Sequence, residues 1–240
     1  MLKLVRIILF SLYFVVVAVL GVFVCLCRPF NLDNNRIMAK AFSYGGLKLL
    51  GVNVEVRNEE RFKKLEPGVI VSNHQSNLDL YVLGCIVPHG TASIGKRSLK
   101  WIPFFGQLYW LAGNVLIDRR NAKSSIDALG QVSEAINDQG RSIWVFAEGT
   151  RNLGKGLGEF KKGAFHIAVQ AQCKITPIAA STYAGRLDLN KWCSGKVLID
   201  ILPAVDAAGK TEDDIPQLCA SMHAQIREEI EKLDAELAQI

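Results

Sequence analysis

The sequence predicts an α/β layer fold that follows an N-terminal helical segment able to anchor the chain in a membrane. The 21 positions of residues 7–27 contain no charged side chain. From residue 51 onward, short apolar runs alternate with helical patterns, which is typical of helices layered on a sheet. The chain has 240 residues, of which 50% are hydrophobic, enough for one domain with a substantial core.

The apolar run near the N-terminus is the predicted membrane anchor. As a helix it would extend about 31 Å, close to the roughly 30 Å thickness of the hydrocarbon layer. A cleaved signal peptide is the alternative, but the run is long and no small-x-small site closes it. A second helix over residues 31–50 could lie in the interface, so both a spanning helix and a shallow two-helix anchor stay open. We assign residues 1–50 to the anchor and residues 51–240 to the α/β domain.

The elements after the anchor follow from apolar spacing. A capping box, in which Asp79 stands three residues after Ser76, predicts that a helix begins there and carries its apolar positions to Ile86. The last helix, from Pro216 to Leu237, carries an apolar stripe that we interpret as a core face. The other predicted helices cover residues 122–138 and 162–170, and the predicted strands cover residues 52–56, 69–71, 91–95, 115–117, 143–146, 175–180 and 197–202.

Charge and cysteine usage restrict the function. A net charge of +5 suits a protein that rests on anionic lipid or handles phosphate. No basic tract or aromatic RNA-binding signature is present, so we expect no nucleic-acid partner. The six cysteines form no Cys-x-x-Cys pair and the four histidines no His-x-x-x-His pair, so we expect free thiols and no metal site.

His74 and Asp79 are the first candidate site residues, because the apolar strand 69–71 ends just before them. Five residues apart within one helix, the two side chains would point roughly 140° apart, whereas across a turn they can meet. A histidine that holds a carboxylate on one ring nitrogen can accept a proton on the other. Since no nucleophile elbow is present, the substrate would supply the hydroxyl. The alternative is that Asp79 only caps its helix and that backbone groups satisfy His74.

Charged side chains also follow three other predicted strands. The segment Glu148-Gly149-Thr150-Arg151 comes after strand 143–146, where a glycine lets a ligand approach the backbone and Arg151 can grip phosphate with two hydrogen bonds. Asp118 and Arg119 follow strand 115–117, and Lys96 precedes an aromatic segment, residues 101–105. The alternatives are ion pairs, such as Asp118 with Arg119 or Arg120, and lysines that are simply solvated. The shared location of these charged side chains at strand ends nevertheless predicts one cleft.

Together these segments resemble the glycerolipid acyltransferase family, and most closely the bacterial lysophosphatidic acid acyltransferases. Residues 73–79 match the family's His-x4-Asp motif with its flanking Asn and Gln, and residues 113–119, 146–151 and 175–178 match three further blocks in the same order. There are departures: Ala147 and Lys174 stand where proline is common, and Asn152 where serine is frequent. These departures concern the stiffness of loops rather than the chemistry.

The resemblance implies a glycerol-3-phosphate acyltransferase-like fold, with a mixed sheet flanked by helices. It also implies a role for each site residue. His74 would be the general base and Asp79 its orienting partner, and Lys96, or backbone amides near it, is our expected oxyanion donor. The residues implied to hold the phosphoglycerol headgroup are Glu148, Gly149, Thr150, Arg151 and Arg119.

The activity implied by the resemblance is acyl transfer to the sn-2 hydroxyl of 1-acyl-glycerol-3-phosphate (lysophosphatidic acid), which gives phosphatidic acid for phospholipid biosynthesis. The donor would be acyl-CoA or acyl-ACP (acyl carrier protein), with no further cofactor. The enzyme would contact membrane lipid at the bacterial inner membrane, with its catalytic domain facing the cytoplasm. Two alternatives stay open: another acceptor, such as glycerol 3-phosphate or another lysophospholipid, and a catalytically inactive membrane protein that binds phospholipid.

Overall fold

The computed structural model describes residues 1–118 and 122–239, and the chain alternates between helices and strands after two N-terminal helices. The helices are α1 (Leu2–Cys27), α2 (Asn34–Leu50), α3 (Glu60–Lys63), α4 (Asp79–Val82), α5 (Phe105–Leu111), α6 (Ala122–Gln139), α7 (Gly163–Ala171) and α8 (Ile215–Leu237). The strands are β1 (Val52–Arg57), β2 (Gly68–Ser72), β3 (Thr91–Lys96), β4 (Val115–Ile117), β5 (Ser142–Phe146), β6 (Lys174–Ala180), β7 (Gly195–Ile201) and β8 (Val205–Asp206). Short 3-10 helices lie at Gly84–Ile86, Arg97–Trp101 and Glu212–Asp214.

The strands form one mixed sheet, which confirms the predicted fold class. Over the described residues its order is β1-β7-β6-β2-β5-β3-β4, and β8 pairs with β6. Strands β2 to β6 run parallel to one another, whereas β7 runs antiparallel to β6. The carboxyl ends of the five parallel strands therefore lie at the same edge of the sheet, where ligands bind in open α/β sheets.

The central strand β2 is buried on both faces. Val69 and Val71 face a core layer that includes α7 and α8, whereas Ile70 faces a second layer that includes α2. Each of these three side chains is at most 1% exposed. Burying an aliphatic side chain of this size contributes about 1.5–3 kcal/mol, so this short strand has strong support from both sides.

The predicted strands and the long helices are confirmed, and the apolar stripe of α8 lies in the core as expected. The helix expected after Ser76 is wrong in length. It forms a single turn, α4, and becomes a 3-10 turn at Gly84, where the Ala39 carbonyl of α2 lies 2.8 Å from the position of a Cβ. Glycine also disfavours helix.

The capping box at the start of α4 is only half formed. The Asp79 carboxylate accepts a hydrogen bond from the Ser76 amide at 3.3 Å, but the Ser76 hydroxyl accepts from the Leu78 amide instead of that of Asp79. Helix α5, which the sequence did not predict, packs against α1.

Helix α1 is long and apolar enough to cross a membrane, judged by length and composition. It packs against α2 and α5: the Phe14 ring contacts the rings of Phe42 and Phe105, and the Tyr13 hydroxyl donates to the Ala41 carbonyl. The two N-terminal helices thus share a core layer with α4 and α5. The division of the chain at residue 50 stays a prediction.

A buried arginine attaches the N-terminal end of α1 to the loop between β6 and β7, part of the sheet domain that residues 51–240 form. Arg6 is 5% exposed, and its guanidinium donates to the carbonyls of Leu189 at 3.1 Å and Trp192 at 2.7 Å. It also donates to the Ser194 hydroxyl at 2.7 Å. At the other end of α1, the Phe30 amide donates to the Leu111 carbonyl at 3.0 Å. Both ends of this helix are therefore bonded to the same domain.

We expect Arg6→Met to destabilise the protein, because the side chain keeps its bulk but leaves several carbonyl groups without their donor. Hydrogen bonds to a charged group contribute about 1.5–3 kcal/mol, and a chain of this size loses about 2–4 °C of Tm per kcal/mol. Thermal unfolding in detergent should show a Tm lower by about 3–12 °C. Lys3→Met, at an exposed position of the same helix, is the control. Equal Tm values for the two variants would contradict this role of Arg6.

Candidate active site

The loop that follows β2 is fixed by the side chains on either side of His74. The Asn73 side chain exchanges two hydrogen bonds with the backbone of Ala180, at 2.9 and 3.0 Å. The Gln75 side chain donates to the Ser181 carbonyl at 2.8 Å and accepts from the Tyr183 amide at 2.9 Å. Because these flanking side chains are bound to residues 180–183 at the end of β6, the backbone of the loop is held in one orientation. His74, between them, borders the cleft.

His74 and Asp79 meet across the turn, as the spacing predicted. Nδ1 of the imidazole is hydrogen-bonded to Oδ2 of the carboxylate, which also accepts from the amides of Gln75 at 2.8 Å and Ser76 at 3.3 Å. Burial raises the pKa of the Asp79 carboxyl, while the hydrogen bonds from His74 and the two amides act in the opposite direction.

The other ring nitrogen of His74, Nε2, is available to a bound molecule. It has no hydrogen-bond partner among the residues that the structure describes, and no serine or cysteine in that part of the chain bonds to the ring. The imidazole stacks on the Phe146 ring, with centroids 4.0 Å apart and planes 21° apart. Its side chain is 21% exposed. The ring can therefore exchange a proton with a ligand in the cleft.

The carboxylate of Glu148 fixes the backbone of His74 by accepting a hydrogen bond from its amide. This carboxylate is 3% exposed and accepts from the amide of His74 at 2.6 Å, the amide of Gly158 at 2.8 Å and the side chain of Asn152 at 3.1 Å. Burial raises the pKa of the Glu148 carboxyl, although hydrogen bonds from the amides of His74 and Gly158 lower it. Since both oxygens are bound within the protein, this geometry favours a positioning role over the predicted headgroup contact.

His74 opens into a cleft of about 980 Å³ that is mainly apolar. Phe10 and Phe14 of α1, with Met38 and Phe42 of α2, form part of its wall. Polar groups are few, and several of them come from the ends of the parallel strands. The shape suits a ligand with a long apolar part and a polar end.

Two predicted cations border this cleft. Lys96 lies at the end of β3, and Arg151 donates to the Asn77 side chain; both are exposed. Gly149 and Thr150 also line the cleft, whereas Glu148 does not. The predicted headgroup residue Arg119 lies outside the described residues. Asp118, the acid before it, is 3.5 Å from Arg97.

The sequence analysis missed Tyr183, whose hydroxyl donates to Oδ1 of Asp79. Tyr183 follows β6 at the edge of the sheet where His74 and Glu148 also stand, so its position at a strand end was the available signal. The contacts of Phe146 with the His74 ring and of Asn152 with Glu148 were missed as well, although both residues lie within or beside the block 146–151.

Two expectations about cysteines and metals can be compared with the structure. All six cysteines are free thiols, as predicted. Among the described residues, no three His, Cys, Asp or Glu side chains form a group that could hold a metal ion. The absence of a cofactor stays a prediction.

Comparisons with known proteins agree with the motif assignment. The family model named Acyltransferase matches residues 53–181. A 1-acyl-sn-glycerol-3-phosphate acyltransferase of Haemophilus influenzae is 40% identical over 239 residues, which cover 99% of each chain. The Escherichia coli protein of that name is 37% identical over 240 residues, 100% of this chain and 97% of the relative.

A more distant relative and a solved structure extend these matches. The human 1-acyl-sn-glycerol-3-phosphate acyltransferase alpha is 39% identical over 204 residues, 84% of this chain and 71% of the relative. The crystal structure of a 1-acyl-sn-glycerophosphate acyltransferase from Thermotoga maritima superposes with a TM-score of 0.74. The superposition covers 97% of this chain and 98% of the Thermotoga maritima chain. At 23% sequence identity, it shows a similarity of fold.

Proposed function

The chain belongs to the acyltransferase family, and we propose that it transfers a fatty acyl group from an acyl thioester to the sn-2 hydroxyl of 1-acyl-glycerol-3-phosphate. The product would be phosphatidic acid. One observation carries the proposal: His74 holds Asp79 on Nδ1 and presents Nε2 to an apolar cleft that cations border. The names of relatives at 37–40% identity over the full chain support the same acceptor.

The proposed transfer is direct. Nε2 of His74 takes the proton of the sn-2 hydroxyl while the hydroxyl oxygen attacks the thioester carbonyl carbon. The resulting tetrahedral oxyanion collapses, the carbon–sulfur bond breaks, and the departing thiolate receives the proton from the imidazolium. Asp79 stabilises that imidazolium through Nδ1. A positioned base contributes about 10²- to 10⁴-fold in rate.

The remaining site residues divide into binding and positioning groups. We propose that Arg151, with Gly149 and Thr150 beside it in the cleft, binds the phosphate of the acceptor. We also propose that Arg119 binds this phosphate, because it belongs to the block 113–119 that resembles the family. Lys96, or a backbone amide near it, would stabilise the oxyanion, a contribution of about 2.7–4 kcal/mol for one donor. Glu148 positions His74.

The proposed co-substrate is a thioester of coenzyme A or of acyl carrier protein. The apolar walls of the cleft can accept the methylene chain of such a donor, since each buried methylene contributes about 0.8 kcal/mol. The chemistry that we propose for His74 and Asp79 requires no metal or further cofactor.

The acceptor can be tested with purified protein, a panel of acyl thioesters and free-thiol release as the readout. We expect thiol release with lysophosphatidate, and little with glycerol 3-phosphate or lysophosphatidylcholine. His74→Ala should lower kcat by about 10²- to 10⁴-fold, because the base is lost while Asp79 and the fold are kept. An active His74→Ala variant, or a preference for another acceptor, would contradict the proposal.

Replacing Arg151 tests the phosphate site separately. We expect Arg151→Ala to raise the KM for lysophosphatidate and to change kcat little, because a cation that binds the phosphate holds the ground state and the transition state alike. Arg227→Ala, an exposed arginine on α8, is the matched control. A KM that stays the same in Arg151→Ala would exclude Arg151 from phosphate binding.

We further propose that α1 and α2 form a shallow two-helix anchor in one leaflet. Helix α1 extends about 39 Å, yet both of its ends are bonded to the sheet domain. Exposed tryptophans, a residue type that favours membrane interfaces, lie near both ends: Trp192, which is 84% exposed, near Arg6, and Trp110, which is 54% exposed, against Phe30. The leaflet would be the cytoplasmic one of the inner membrane, where the thioester donors are made.

This topology predicts that the N-terminal end of α1 lies on the same side of the membrane as the loop between β6 and β7. In a Lys3→Cys variant, a membrane-impermeant maleimide should label the introduced thiol and the exposed Cys193 in inverted vesicles, with each site resolved by peptide mass spectrometry. Neither should react in sealed spheroplasts. A spanning helix would give the opposite result for the introduced thiol alone, since Cys193 belongs to the sheet domain in either case.

A further inference from the structure

The two oxygens of the Asp79 carboxylate have different partners. Oδ2 is hydrogen-bonded to His74 and to the amides of Gln75 and Ser76, whereas Oδ1 accepts the hydroxyl of Tyr183. Tyr183 is 1% exposed and lies 104 positions further along the chain. No other side chain in the described part of the chain has a recorded hydrogen bond to Oδ1.

The backbone of Tyr183 is held in place by hydrogen bonds to two different parts of the chain. Its own amide donates to the Gln75 side chain at 2.9 Å, so the residue that follows His74 also fixes the backbone of Tyr183. The neighbouring Thr182 amide donates to Asp234 of α8 at 2.6 Å. The backbone that carries the phenol is therefore bonded to the loop of the candidate base and to α8, which limits how far the hydroxyl can move from Asp79.

We propose that Tyr183 is a positioning residue for acyl transfer, which acts by locking the orientation of the Asp79 carboxylate. A carboxylate can rotate about its Cβ–Cγ bond, and the phenol prevents this by holding Oδ1. Oδ2 then stays on Nδ1 of His74, which keeps the proton on that nitrogen and leaves Nε2 free to act. The inference rests on the proposed function, because it gives Tyr183 a role only if His74 is the base.

The phenol also affects how tightly the pair holds a proton. A donor to the carboxylate favours its charged form, and without it Oδ1 would be buried and unpaired. The other charged groups nearby are Glu148, which faces the His74 amide, and Lys96 and Arg151 in the cleft. The residues of α1 and α2 that line the cleft carry no charge. Removing the Tyr183 hydroxyl should therefore make the hydrogen-bonded His74 and Asp79 side chains bind their shared proton more tightly.

The test is Tyr183→Phe, which removes the hydroxyl and keeps the ring. We expect kcat to fall about tenfold to a hundredfold, the loss that corresponds to one hydrogen bond to a charged group. The KM for lysophosphatidate should stay the same, because Tyr183 is 1% exposed and its hydroxyl is bonded to Asp79 rather than open to a ligand. The acid limb of the pH–kcat profile should move to higher pH.

Two further proteins serve as controls. Tyr13→Phe removes a hydroxyl that donates to the Ala41 carbonyl of α2 and not to Asp79, so it should leave kcat and the acid limb unchanged. Incorporation of 3-fluorotyrosine at position 183 keeps the hydroxyl and makes it a stronger donor, so it should move the acid limb to lower pH. This second substitution also tests the proposal in a protein whose ring packing is nearly preserved.

A readout without turnover separates this inference from the proposed function. The rate at which diethylpyrocarbonate modifies His74, followed by mass spectrometry across pH, reports the protonation of the pair directly. An acid limb that does not move in Tyr183→Phe, or a loss of kcat matched by Tyr13→Phe, would overturn the positioning role. Wild-type protein that releases no thiol with lysophosphatidate would instead overturn the proposed function, while the modification profile still decides on Tyr183.

Discussion

The hydrogen bond between His74 and Asp79 is the interaction on which the site depends, and much of the surrounding structure holds its two partners. Strand β2, buried on both faces, delivers His74 to the edge of the sheet. Glu148 binds the His74 amide, and the side chain of Gln75 fixes the loop to the segment that ends β6. The Asp79 carboxylate accepts hydrogen bonds from His74, Tyr183 and the amides of Gln75 and Ser76, so it is fixed where it can stabilise an imidazolium.

The two N-terminal helices, which we propose as the membrane anchor, also contribute to the site. Phe10 and Phe14 of α1 and Met38 and Phe42 of α2 line the cleft into which His74 opens. A lipid substrate would therefore pass between the anchor and the sheet domain and meet the base there. Arg6 bonds the first turns of α1 to the segment 189–194, so the helix that supplies Phe10 and Phe14 to the cleft is fixed to the rest of the chain.

Local patterns were enough to predict the sheet and the pair of residues at its edge. The alternation of apolar runs located the strands, and the turn after β2 brought His74 and Asp79 together as expected. Contacts between distant segments were not predictable from spacing: Tyr183 reaches Asp79 from 104 positions away, and the inward orientation of Glu148 follows from the amides that it meets. Helix α5 was missed because it is only 7 residues long and has an aromatic, nearly continuous apolar sequence. Single-turn α4 was predicted too long because its apolar positions continue past Gly84.

The central claim is that His74 activates the hydroxyl of the acceptor and that the protein itself is never acylated. The most direct measurement is the intact mass of the purified protein after it is mixed with an acyl thioester, with and without lysophosphatidate. The account predicts an unchanged protein mass in both mixtures, and thiol release matched one to one by phosphatidate only when the acceptor is present. A protein mass increased by one acyl group, with a burst of free thiol in the absence of acceptor, would contradict it.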